Sequence, residues 1–231
     1  PLDVVFVQFC LLGIVLAQSL RWRVMNGLQA NFLPYRRLVQ ITLISNFLSL
    51  FAPASVGADV VRGYYSVSEG SGKTGNSIVA ILMDRVLGLF SYVVFTALFG
   101  VLQFNAISSE LKVLVGSACA VLVGAVVVAL SAQWLSDATF LRLESLPLLI
   151  NRSWWKQGVE GMLIYARAPK ILLGALGISC GSAMFSVLLF MCIGRRMGID
   201  LNSLQYLLIV PLGVVASALS MIPFGLGLGQ V

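Results

Sequence analysis

Histidine is absent from this 231-residue chain, and Asp, Glu, Lys and Arg together make up only 10% of it. Without histidine there is no Ser-His-Asp or Cys-His nucleophilic site, no His-ligated metal and no His-based phosphatase chemistry. Cysteine is sparse too. Cys10, Cys119, Cys180 and Cys192 stand in apolar runs with no CxxC spacing, so they read as small core residues and not as disulfides or ligands. No metal and no cofactor is expected. Gly70-Ser-Gly72-Lys73-Thr74 ends like a phosphate-binding loop but lacks the full GxxxxGK[ST] spacing, and no buried strand precedes it. The polar surface of a soluble domain is also missing, because such domains carry about a quarter charged residues.

What remains is apolar: 59% of residues are hydrophobic and mean hydropathy is +0.97. A chain so composed cannot cover itself with a water-compatible surface, which makes it an all-α polytopic membrane protein, a helical bundle forming one domain over residues 1–231. The formal charge of +6 does not indicate nucleic acid. The basic residues sit in short segments between apolar runs, as the positive-inside rule produces. Pro1 at one end and an apolar Gly-rich run at the other suggest that flanking membrane helices are missing from both ends.

Uncharged runs set out the organisation. Val4–Leu20 reads as a first helix ending at the basic group Arg21 and Arg23. Leu38–Ala58 follows Arg36 and Arg37, a third helix runs from near Asn76 to about Gln103, and a fourth covers Val113–Ser131. An amphipathic connection, Asp137–Lys170, then leads to Ile171–Gly194 and to the last run, Leu201–Val231. The segment Arg21–Arg37 has four Arg and no acid, and Asp137–Lys170 is also basic, so both are expected in the cytoplasm. Trp154 and Trp155 beside Lys156 suit a helix on the membrane surface or one packed on the bundle.

Two runs are broken. Pro53 and Gly57 interrupt the second, and charged Asp59 and Arg62 follow at once. A re-entrant hairpin fits: Leu38–Ala52 enters, Pro53–Gly57 turns, Ala58–Val67 returns. Broken backbone at membrane depth is tolerated only where protein or a wet cavity satisfies it. The last run repeats the Pro-x-x-x-Gly core at Pro223, Gly225 and Gly227, after three crossing helices, so a second hairpin is expected from the opposite face. That is the inverted-repeat plan of transporters, with a substrate site where the broken helices meet.

Four charges lie in or beside apolar runs: Asp59, Arg62, Asp84 and Arg85. Ionisable groups at this depth face a cavity or one another. Asp59 and Arg62, three apart, share a helical face. An alternative crosses the pairs, Asp59 with Arg85 and Asp84 with Arg62, locking the hairpin to the third helix. Functionally, Arg62 and Arg85 would present bidentate guanidiniums to a phosphate while the acids hold them. Gly88, one turn after Asp84, would let another backbone approach. Asn46, Ser49 and Gln230 either line a polar cavity or bond neighbouring helices.

The run from Asn46 through Pro53, Gly57 and Asp59 to Arg62 resembles the "N…lPg..GGD..R" signature of the flippase-like membrane family, which includes the transmembrane region of lysylphosphatidylglycerol synthases of the multiple-peptide-resistance-factor type. Asp84-Arg85-Val-Leu-Gly88 is similar to its "dR..Gl" element, and Pro223 to Gln230 to its "P.gGlG..E" element. Ala58 replaces the second Gly of the first element, and Gln230 stands where the family usually has Glu. The resemblance implies a multi-pass protein of the bacterial inner membrane. It would move a phosphate-bearing lipid, phospholipid or polyprenyl-phosphate-linked, between leaflets, beside a lipid-modifying or glycosyltransferase enzyme. Alternatives are a membrane glycosyl or lipid transferase using Asp59 or Asp84 as base, against which no paired acids stand in a loop, and a non-transporting scaffold docking through Asp137–Lys170.

Overall fold

The computed structural model describes residues 2–49, 56–70, 74–105, 107–135, 161, 164–165 and 167–219. Among them the secondary structure is helical throughout, in seven helices: α1 (Leu2–Leu28), α2 (Tyr35–Ser49), α3 (Val56–Ser68), α4 (Thr74–Leu102), α5 (Ser109–Leu135), α6 (Pro169–Arg196) and α7 (Ser203–Leu219). Among the described residues three stretches are long and apolar enough to cross a membrane: Leu2–Leu28, Gly75–Leu102 and Pro169–Arg196. At 1.5 Å per residue each reaches about 40 Å, against roughly 30 Å of hydrocarbon. By the same rise α2 and α3 reach only about 20 Å each.

Pair contacts give the helix directions. α1 runs antiparallel to α6: Asp3 meets Arg196 at one end, Phe9 lies edge-on to Phe185 at 5.9 Å, and Met25 packs with Ala175 near the other. Gly13 has no side chain where the Phe185 ring presses on α1. α4 runs alongside α6, with Val79 and Ala80 in the Met25 cluster and Tyr92 bonded to Ser186 at 3.0 Å. The end of α4 reaches the start of α7, where Gln103 Nε2 donates to the Leu204 carbonyl at 2.7 Å.

α2 and α3 form a helical hairpin with both outer ends on one side. Arg37, early in α2, is ion-paired with Glu69, just past α3. Asn31 Nδ2, on the α1–α2 link, donates to the Ser66 carbonyl at 3.1 Å and to Ser66 Oγ at 2.9 Å. The hairpin therefore begins and ends at the C-terminal end of α1. α7 begins at the opposite end, beside the end of α4. Pro53, Pro223, Gly225, Gly227 and Gln230 lie outside the described residues, as do Trp154, Trp155 and most of Asp137–Lys170.

One boundary differs from the sequence expectation in a way that matters. α1 does not stop before Arg21 but continues two turns to Leu28. Tertiary packing carries it on, because Trp22 and Met25 are fully buried. The helix closes with a Schellman motif: Asn31 N–H bonds the Asn26 carbonyl and Ala30 N–H bonds the Gly27 carbonyl. Ala30 takes the left-handed position at φ 54°, where glycine is usual because a Cβ is strained there. α6 ends the same way with a glycine, Gly198 at φ 77°.

The burial pattern is inverted relative to a soluble protein. Leu2, Val4, Val5, Phe9 and Leu12 of α1 are exposed, while Ser19, Arg21 and Asn26 of the same helix are buried. Asn31, Arg62, Ser66, Asp84 and Ser179 join them inside. An apolar solvent around the bundle accounts for both halves of that pattern.

Candidate functional site, a buried charge cluster

The buried polar residues converge on Asp84, at the end of the third turn of α4. Arg21 reaches it from α1 as a bidentate partner, Nε to Oδ1 at 2.6 Å and Nη2 to Oδ2 at 3.0 Å. This fork matches a carboxylate in plane and is the strong form of the interaction. The remaining Arg21 nitrogen, Nη1, donates to Ser179 Oγ of α6 at 3.0 Å, and Ser179 Oγ in turn donates to the Ala175 carbonyl at 2.9 Å. Arg62 arrives from α3, donating from Nη1 to Asp84 Oδ2 at 3.3 Å. One carboxylate thus ties four helices together.

Gly88 makes the fork possible. A Cβ there would stand 3.1 Å from Arg21 Nη1 and 3.3 Å from Nη2. The group that uses the missing side chain is a guanidinium, not the second backbone expected from the sequence.

Arg62 is 8% exposed and Asp84 2%. The Arg62 guanidinium lies over the Trp22 ring, 5.4 Å from its centroid, a cation–π contact that strengthens when desolvated. Arg85 and Asp59 form their own ion pair across α4 and α3, nearer the surface, with side chains 39% and 26% exposed. Of the two sequence alternatives, the crossed pairing is therefore the one present, with Arg21 added to it. Counting charge, two guanidiniums face one carboxylate in the buried cluster, and the Asp59–Arg85 pair beside it is neutral. Among the described residues the buried cluster holds one positive charge in excess.

The structure brings Arg62 and Asp84 together inside and sets Asp59 with Arg85 further out. Asn46 is half-buried on the last turn of α2, where its carbonyl accepts from Ser49 Oγ at 2.7 Å. Gly57 lies in the first turn of α3. Arg21, Trp22 and Ser179 went unrecognised as site residues. Arg21 looked like a loop charge because it ends an uncharged run. The signal that could have found it is Trp22, Met25 and Asn26 continuing the helical spacing beyond it, with no Gly until Gly27.

Further polar contacts hold the frame at the α1 C-terminus. Gln29 Nε2 donates to the Gly161 carbonyl at 2.9 Å, and Tyr165 Oη to the Met25 carbonyl at 2.8 Å. Gly161 and Tyr165, from the basic connection that precedes α6, are packed into the bundle.

No curated protein and no solved structure matches the chain. A family described as the lysylphosphatidylglycerol synthase TM region matches all of residues 1–231, in keeping with the long apolar helices, and the chain belongs to that family.

Proposed function

We propose that this protein is a lipid translocase that moves a phosphate-bearing lipid between the leaflets of a bacterial inner membrane. The observation that carries this reading is the uncompensated charge inside the bundle, Arg21 and Arg62 around the single carboxylate of Asp84. A buried excess cation is expensive unless an anion joins it, and a lipid phosphate is the anion a membrane supplies. In this reading α2 and α3 are a re-entrant hairpin from the cytoplasmic face, and α7 leads into its inverted counterpart from the other side. The head group would pass between them while its chains stay in hydrocarbon, which removes the main barrier to crossing.

Arg62 is assigned to the phosphate. It holds Asp84 through one 3.3 Å bond, whereas Arg21 is committed on all three nitrogens. Arg85 faces Asp59 nearer the surface and would act at entry or exit.

The test is a leaflet-exposure assay in proteoliposomes, following fluorescent anionic phospholipids and a short polyprenyl phosphate. Wild type is expected to move at least one of them, with Arg62→Ala reduced about tenfold or more, the loss of one charge-assisted contact. Absence of movement for every phosphate-bearing lipid, from folded protein, would overturn the proposal and favour the scaffold role.

A further inference from the structure

Arg23 stands outside the buried cluster. It continues the outward stripe of α1, because Phe9, Leu12, Leu16, Leu20 and Arg23 follow one another at three or four residues and so share a helical face. All five are exposed. Asp3 marks the other end of the same helix, where it pairs with Arg196. Arg23 comes about 20 residues after it, roughly 30 Å of helix, which is the thickness of a hydrocarbon core. The stripe therefore ends in an arginine at the level of the lipid phosphates.

The side chain is also held there. The Arg23 guanidinium lies over the Tyr35 ring, 6.0 Å from its centroid, and Tyr35 Oη donates to the Leu16 carbonyl at 3.0 Å. That bond pins the first residue of α2 against α1 and makes its ring a platform for Arg23. Stacking engages the flat face of a guanidinium and leaves its in-plane N–H donors for an acceptor. Arg23 takes part in no ion pair among the described residues. Other charge at this end is of the same sign: Arg36, next to Tyr35, is exposed, as are Arg167 and Lys170 by the start of α6, while Glu69 is taken up by Arg37.

We propose that Arg23, laid on Tyr35, binds a glycerophospholipid of the adjoining leaflet. The phosphate sits in the guanidinium fork, whose geometry suits it. Arg36 adds positive charge in the same layer, and the acyl chains lie along Phe9, Leu12, Leu16 and Leu20. This lipid resides on the perimeter of the bundle, apart from the buried cluster, and its site does not rest on the translocase reading. By joining α1 to the first turn of α2 it fastens the root of the helical hairpin that carries Arg62.

Native mass spectrometry of the full chain, released from a neutral detergent, counts bound lipid directly. The titrants are dioctanoyl phosphatidylglycerol, dioctanoylglycerol, which has the chains without the phosphate, and glycerol 3-phosphate, which has the phosphate without the chains. Wild type is expected to bind phosphatidylglycerol at least about tenfold more tightly than either of the others. Arg23→Gln should weaken that binding about tenfold, the loss of one charge-assisted contact. Tyr35→Leu keeps every charge but removes the platform, and should weaken it about threefold. Lys170→Gln loses the same charge as Arg23→Gln at another edge and should bind as wild type does. Measured in the Arg62→Ala background, the effect of Arg23→Gln is expected to be the same.

Unchanged binding in Arg23→Gln or Tyr35→Leu would overturn the site, and so would an equal loss in Lys170→Gln, since diffuse positive charge would then suffice. Dioctanoylglycerol or glycerol 3-phosphate binding as tightly as phosphatidylglycerol would overturn its assignment to a phospholipid. An Arg23 effect that vanished with Arg62→Ala would move the lipid to the buried cluster and overturn the perimeter site. Persistence of the Arg23-dependent lipid without any leaflet exchange would leave this site standing and remove the translocase.

Discussion

The pairing of Arg21 with Asp84 offers the most direct test of the buried cluster. Both side chains are nearly dry, 9% and 3% exposed, so the comparison is between a desolvated pair and a screened one. Changing Asp84 to Leu strands two guanidiniums, and breaking a buried pair from one side costs about 3–5 kcal/mol. Arg21→Leu is milder, about 1.5–3 kcal/mol for the charged hydrogen bonds lost, because Asp84 retains Arg62. In the double variant the second change removes a stranded charge and should be neutral or stabilising. The coupling energy is therefore expected at about 1.5–3 kcal/mol or above. Uncharged hydrogen bonds between membrane helices couple by only about 0.6 kcal/mol, because the unfolded chain in the membrane also finds partners. Equilibrium unfolding by dodecyl sulfate in mixed micelles, on wild type, both single variants and the double, measures the quantity. A coupling below about 1 kcal/mol, the value of an exposed ion pair, would refute the claim that the cluster is dry. It would remove the electrostatic argument for an anion with it.

Further outcomes follow from local geometry. Ala30→Gly relieves a left-handed alanine at φ 54° and should stabilise by about 0.5–1 kcal/mol, raising the melting temperature by roughly 1–4 °C. Gly88→Ala pushes against the Arg21 guanidinium, whose nearest nitrogen is 3.1 Å from the added carbon, and should destabilise by about 1–3 kcal/mol in the same unfolding assay. Glu69 gives a pH dependence: the hydrogen bond from Arg37 holds its carboxyl below the ordinary carboxylate range. A depressed folded-state pKa contributes stability above the ordinary value and loses it as pH falls through the folded one. Wild type should therefore melt above Glu69→Gln at neutral pH, with the gap closing as pH falls through the depressed carboxyl range; equal melting at neutral pH would contradict the ion pair.

The helices were legible because their cause is local. Uncharged runs of about 20 residues need nothing but a membrane to become helices, and α4 and α6 begin and end within two residues of where those runs do. The end of α1 was not. Arg21 reads as a loop residue until the partners that let an arginine stay buried are known, and those partners are 63 and 158 positions away. Trp22 carried no signal either, because an indole in an apolar run is ordinary until the guanidinium over its ring is seen.

The amino-acid sequence by itself determined that this is a membrane bundle of a recognisable family, and that charges such as Asp84 stand inside its apolar runs. Hydropathy, proline geometry and charge scarcity act through a residue's immediate neighbours and the solvent, so they can be read in order along the chain. Only the tertiary structure decided which arginine each carboxylate holds, that Arg21 is a third buried partner, and that one positive charge is left over. Those outcomes depend on which helices pack together and in which register, a choice made by α1, α3, α4 and α6 jointly and recorded in no one of them.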